Sequence, residues 1–169
     1  MSITKLNNRS LTAVTALPSG VGGKVLQVVQ TFKANSFSST STSFTDVTGL
    51  SVSITPSSLS NKILVLCTVP MSGTVDTIIQ LVRGSTVIGS GTSATITNGF
   101  AQTSATNSVF PNSAVPMCIN FLDSPATTSA TTYKIQVKLH SAGDVFVNLR
   151  QSNDAFGGSS TLTVMEIAP

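Results

Sequence analysis

The cluster Gly20-Val21-Gly22-Gly23-Lys24 is the first spacing in the chain that could do chemistry. Glycines ahead of a lysine can cradle a phosphate, but a phosphate loop places Gly six residues before the Lys and Ser or Thr after it. Those positions hold Pro18 and Val25, and the run that follows is strand-like, so no helix N-terminus would face an anion. The cluster reads as a flexible joint. His140 is the sole histidine, and no Ser occupies a Gly-x-Ser-x-Gly elbow. It falls on the outward face at a strand end and reads as a surface residue. Cys67 and Cys118 sit in Leu-Cys-Thr and Met-Cys-Ile without the paired spacing of a zinc site. Both read as buried free thiols in a reducing compartment. Asp144 and Asp154 bracket one strand and could flank a saccharide as a glycosidase pair does, but turn formation accounts for both. No catalytic residue, metal site or cofactor is expected.

Glu166 and Arg150 are the two charges whose settings stand out. Phe146, Asn148 and Arg150 alternate with core-type residues on one strand, and Met165, Glu166 and Ile167 end the last one. Aromatic and Arg residues on the second face of a strand are typical of subunit contacts. These six are the candidate oligomer interface, with Arg150 the natural cation for Glu166 across subunits or sheets.

The elements that must position these groups follow from composition. The chain has 169 residues, 40% of them hydrophobic and only 9% charged, against about 25% charged in an ordinary soluble domain. Its 24 Thr and 26 Ser coat the surface, or much of that surface is covered by other chains. No apolar run is long enough to span a membrane, and MSITKLNNRS lacks the apolar stretch of a signal peptide. Residues 1–33 hold Lys5, Arg9, Lys24 and Lys33 and no acid, a charge of +4; residues 34–169 hold five basic and six acidic groups, −1, giving the total of +3. Basic residues so widely spaced, without interleaved aromatics, do not suggest nucleic-acid binding. Residues 1–23 instead read as an anchoring arm that adds Leu6 and Leu11 to Lys5 and Arg9, and residues 24–169 as one domain.

Period-two alternation predicts strands over 24–32, 36–47, 50–54, 62–69, 115–122, 131–140, 145–150 and 162–167. It also predicts a hairpin over 77–88 turning at Gly84-Ser85 and a short strand at 93–97. The run Lys62–Val69 reads as covered on both faces. Pro116 implies an edge or a bulge, and the Pro56–Asn61 turn draws on the left-handed tolerance of asparagine. Eight to ten strands without helical periodicity indicate an all-β sandwich, and their number points to a jelly roll.

The segments GKVLQVVQ (23–30), SITPSSLSNKILV (53–65), LVRGSTVIGSG (81–91) and SSTLTVMEIAP (159–169) resemble the small Ser/Thr-rich virion proteins of tailed bacteriophages, including cyanophages. The similarity covers roughly residues 23–90 and 131–169. It implies a homotrimeric jelly roll similar to tumour-necrosis-factor and C1q heads, with the last strand near the threefold axis. Two virion roles fit. A head decoration (cement) protein would staple the major capsid protein through its arms. A tail-fibre tip, held by a baseplate or adaptor, would bind a host surface glycan or protein through an apical loop containing Thr92, Thr95, Asn98, Phe100 and Asn107. A rod between anchor and tip has no room before Lys24, which favours decoration. The expected location is the capsid surface, or the tail in the alternative, after assembly in a bacterial cytoplasm, without membrane insertion.

Overall fold

The computed structural model describes residues 24–92, 98–103, 114–150 and 157–169. Among them are eleven strands and no helix: β1 (Val25–Lys33), β2 (Phe37–Ser39), β3 (Thr45–Ile54), β4 (Lys62–Gly73), β5 (Thr77–Arg83), β6 (Thr86–Ile88), β7 (Ala101–Thr103), β8 (Val115–Asp123), β9 (Thr131–Leu139), β10 (Val145–Val147) and β11 (Ser160–Ile167). Every pairing is antiparallel. One sheet runs β1-β11-β4-β8, with β10 and β2 continuing it beside the far end of β4. The second runs β3-β9-β5-β6, and β7 also pairs with β5.

The sheets face each other because alternate residues on each are apolar. Ile63, Val65, Cys67, Val69 and Met71 of β4 meet Leu50, Val52 and Ile54 of β3 and Tyr133, Ile135, Val137 and Leu139 of β9 in one buried cluster. The all-β sandwich expected from alternation is therefore present. The hairpin turns where predicted: Arg83 pairs with Thr86, and Gly84 takes φ +58°, a conformation that favours glycine. Pro116 lies on β8, which among the described residues pairs on one side alone, with β4. The strand expected at 93–97 lies outside the described residues.

Four expectations are corrected. The strand covered on both faces is β5, whose residues 77–82 are all buried, whereas Leu64 and Leu66 of β4 are half-buried and Thr68 is exposed. Cys67 points into the core, but Cys118, opposite Thr68 in the register, points outward and is exposed. The two thiols occupy opposite sheet faces. Burial pushes the Cys67 thiol up to about 12, with neighbouring Cys118 adding to the shift. Asn61 adopts no left-handed conformation; it is buried and used for its side-chain amide.

The fourth concerns Asn148, assigned from alternation to an outer interface. Strand β10 ends at Val147 because Asn148 turns to φ +59° and drives its side chain inside. There Nδ2 donates to Lys33 O at 2.9 Å and Asn35 O at 3.1 Å, and Oδ1 accepts from Ser160 Oγ at 2.6 Å. Its backbone N–H donates to Pro70 O, and its carbonyl accepts from Gly158. A short amide that tolerates the left-handed region is what this site needs. Asn148→Ala strands two buried polar groups, Lys33 O and Ser160 Oγ, and the part-buried Asn35 O, and is expected to cost about 2–4 kcal/mol by denaturant unfolding. Asn148→Gly relieves the backbone and should recover about 1 kcal/mol of that loss.

Candidate functional site

The described residues begin at a fixed point on the sandwich. Ala168 N donates to Lys24 O at 2.8 Å, and Lys24 Nζ donates to the Pro169 carbonyl. From there β1 is zipped to β11 from Val25 opposite Ile167 to Lys33 opposite Ser160. Chain entry and C-terminus thus share one pole. The anchor candidates Lys5, Leu6, Arg9 and Leu11 lie outside the described residues.

Two buried polar clusters close that pole. Glu166 turns inward beside Ile63 and is 1% exposed. Its Oε1 accepts from Ser57 N at 2.6 Å, Ser57 Oγ at 2.7 Å and Asn61 Nδ2 at 2.5 Å. Its Oε2 accepts from Gln27 Nε2 at 2.7 Å, and Gln27 also donates to Thr55 O. Among the described residues no cation takes part, so within the subunit neutral donors stand where Arg150 was expected. Arg150 is half-buried past the Leu149–Gly157 bridge, near the start of β11. Six residues separate Ser160 from Glu166, about 20 Å at the strand rise. Burial raises the Glu166 pKa, but hydrogen bonds from Asn61, Gln27 and Ser57 outweigh it and hold the carboxyl at about 2.

The second cluster spans the two sheets. Asp123 on β8 accepts from Arg83 Nη1 at 2.8 and 2.9 Å and from Tyr133 Oη at 2.7 Å, both partners lying on the opposite sheet. Burial, together with the Asp123 carboxylate that accepts its proton, pushes the Tyr133 phenol above its ordinary range.

The outer faces of the sheets differ in kind. On the β3-β9-β5 sheet, Asp46 accepts from Lys134 at 2.8 Å and Gln136 at 2.6 Å, and Gln80 donates to Gln136 at 2.6 Å. The Lys134 contact, first among these bonds, holds the Asp46 carboxyl below its usual value. Lys138 Nζ stands 5.5 Å from the Phe44 ring centre. On the β1-β11-β4-β8 sheet the register aligns Val28, Met165, Leu64 and Leu122 in one outward row. Val25 and Ile167 lie on one side of it, and Gln30, Thr163, Leu66 and Asn120 on the other. Val28 is 56% exposed and Leu122 49%.

Of the six interface candidates, Phe146, Met165 and Ile167 fall on this outer face and are half-buried. Asn148 and Glu166 do not: both are spent inside the subunit. Val28, Leu64 and Leu122 were missed, though the signal was present, because residues 25–32 and 62–69 carry apolar side chains at both parities. Of the apical-loop candidates, Thr92 is exposed and Asn98 half-buried, while Thr95 and Asn107 lie outside the described residues. Phe100 is corrected. Its ring packs edge-on against Phe121 of β8, 6.3 Å between centres, and closes the side of the core instead of facing solvent.

No family matches the chain, and no curated protein matches its sequence. Among solved structures, the VP2 subviral particle of infectious bursal disease virus is similar over 84% of this chain at 13% identity and a TM-score of 0.34. The chain spans 38% of that viral protein.

The Glu166 cluster gives a signed pH dependence. A carboxyl held at about 2 when folded and near 4.5 when unfolded stabilises the fold above pH 4.5 and loses that contribution as pH falls towards 2. Thermal melts of the wild type should therefore decline across this window. Glu166→Gln should unfold more easily at pH 7 and lack this part of the decline.

Proposed function

We propose that this chain is a bacteriophage virion structural protein: a homotrimeric head decoration protein that clamps the major capsid protein through its N-terminal arm and performs no enzymatic step. The observation that carries this reading is the built exit of the arm. Lys24 is clasped by Ala168 and Pro169. Load on residues 1–23 would therefore enter β1 along its length and pass in shear through eight register pairs to β11, then to β4. A loose tail needs no such seat. The pole under load is also the one that Glu166 and Asp123 lock, so the head would answer as a rigid body.

The strand order supports the jelly-roll form of the sandwich. First and last strands are neighbours in one sheet, β1-β11-β4-β8, and the second sheet interleaves as β3-β9-β5-β6. Lys5 and Arg9 would supply charge-assisted contacts to the shell, and Leu6 and Leu11 apolar burial. Three such arms on one head would bind with an avidity none has alone.

The alternative is a tail-fibre tip that reads a host glycan or surface protein. Its support is the neck at Gly91, whose N–H donates to Gly99 O at 3.1 Å and presents Thr92 and Asn98, both uncharged hydrogen-bonding residues, at the edge of the second sheet. Truncation separates the two. A chain beginning at Gly22 is expected to remain oligomeric by sedimentation yet fail to coat particles. Undiminished occupancy of heads by that truncation, scored by immunogold labelling, would reject the clamp.

A further inference from the structure

We infer that the outward face of the β1-β11-β4-β8 sheet, centred on the row Val28–Met165–Leu64–Leu122, is the surface through which copies of this chain bind one another. The inference rests on the reading above, that the protein works as an oligomer, and supplies its interface.

Four strands at about 4.8 Å spacing and the run from Val25 to Phe32 at about 3.3 Å per residue give a patch near 19 by 23 Å, on the order of 450 Å², apolar except for Lys62 and the amides and hydroxyls of the Gln30 and Phe32 rows. Val25, Leu26, Val28, Phe32 and Leu122 on it are each about half exposed or more. A monomer rarely leaves an apolar patch beyond a few hundred Å² in water. Such a patch supplies more than half of the roughly 800 Å² that each partner gives to a stable interface. The remainder can come from Pro70 and Pro116, which continue the face beyond the Phe32 row.

The chemistry selects the occupant. Among the outward-facing residues of the register rows from Val25 to Phe32, Lys62 is the one charged group, and it sits at the end of the patch. An acidic or nucleic-acid partner would find only Lys62 to pair with, and a sugar would find hydrogen-bonding groups only in the Gln30 and Phe32 rows at the other end. The second sheet, by contrast, carries the ion pair of Asp46 and Lys134, with Gln136 beside it, on its outside. Water-facing chemistry has gone to one sheet and apolar chemistry to the other. A second copy fits an uncharged apolar face best, because it brings no like-charge repulsion, and around a threefold axis one part of the face on each copy would meet an adjoining part on the next.

The test uses the full chain at micromolar concentration, with sedimentation for mass and a thiol reagent for local access. Cys118 is a reporter within the patch; Cys67 is silent, being buried with a thiol pKa near 12. The wild type should sediment as an oligomer with Cys118 shielded. Val28→Asp should fall to the 17.4 kDa subunit mass with Cys118 freely reactive. Leu122→Asp, on the far strand of the same row, should do likewise. Val87→Asp, exposed on the other sheet, should leave the oligomer intact. Far-UV circular dichroism and a cooperative melt establish that each variant is folded. If folded Val28→Asp and Leu122→Asp keep the wild-type mass, or Cys118 reacts equally in oligomer and subunit, this face is not the interface although the oligomer stands. A wild type that sediments as a single subunit overturns both readings, and co-flotation of that subunit with neutral lipid vesicles would identify the face as lipid-binding.

Discussion

Register in the β1-β11-β4 sheet cannot come from hydrophobicity, and the fold depends on what replaces it. In most half-buried strands a slip of one residue moves the apolar set into water and is strongly opposed. Here β4 offers Ile63, Val65 and Cys67 to the core and Leu64 and Leu66 to the outside, and β1 carries Val28 beside Val29. A slipped pairing would bury nearly as much carbon. Buried polar groups supply the missing penalty. Glu166 must reach Gln27, Ser57 and Asn61, and Ser160, at the other end of β11, must reach Asn148. Any slip would strand a carboxylate or an amide without partners, which costs more than the carbon contacts could return.

These pegs are almost entirely neutral. A buried carboxylate usually answers to a cation, and removing one partner of such a pair is severe because the other charge stays behind. Glu166 instead collects four neutral donors, three of them from the loop between β3 and β4. Asn148 does the corresponding work at the far end by spending every polar atom it has. Lys33 is buried there too, with Nζ donating to Asn35 Oδ1 at 2.8 Å and desolvation lowering its pKa. A chain with 9% charged residues can build a specified core because amides and hydroxyls, which it has in quantity, saturate at short range.

The alternation of residues 131–139 and the glycine of the 84–85 turn are local signals, so the strands of the sandwich and the hairpin were legible in the sequence. Asn148 was not, because period-two counting assumes the strand continues, and its end is set by acceptors on Lys33 and Asn35 more than a hundred residues away. The partners of Glu166 were hidden for the same reason. A search for a cation passes over Ser57 and Asn61, which look like turn residues. Cys118 misled because its neighbours Met117 and Ile119 are apolar, yet in a strand the neighbours face the other way. The exposed row Val28–Leu64–Leu122 is a product of register alone, since its members come from three strands whose pairing no local pattern states.

Lys24 and the apolar face share a corner, which in the proposed clamp would couple assembly to anchoring. Lys24 is held by Ala168 and Pro169, and the next residue, Val25, already lies on the outer face opposite Ile167. Copies meeting through this face around a threefold axis would bring their Lys24 residues towards that axis at one pole. Arms leaving together from a shared base pull on the head symmetrically, so tension on one is opposed by the others and does not tilt the subunit off its neighbours. Were the association to use the polar outer face of the other sheet instead, the exits would point away from one another, and each arm would act as a separate weak tether. In the proposed clamp, having Lys24 on the same edge of the sandwich as the dry face would let a head with so few charges hold on by several points at once.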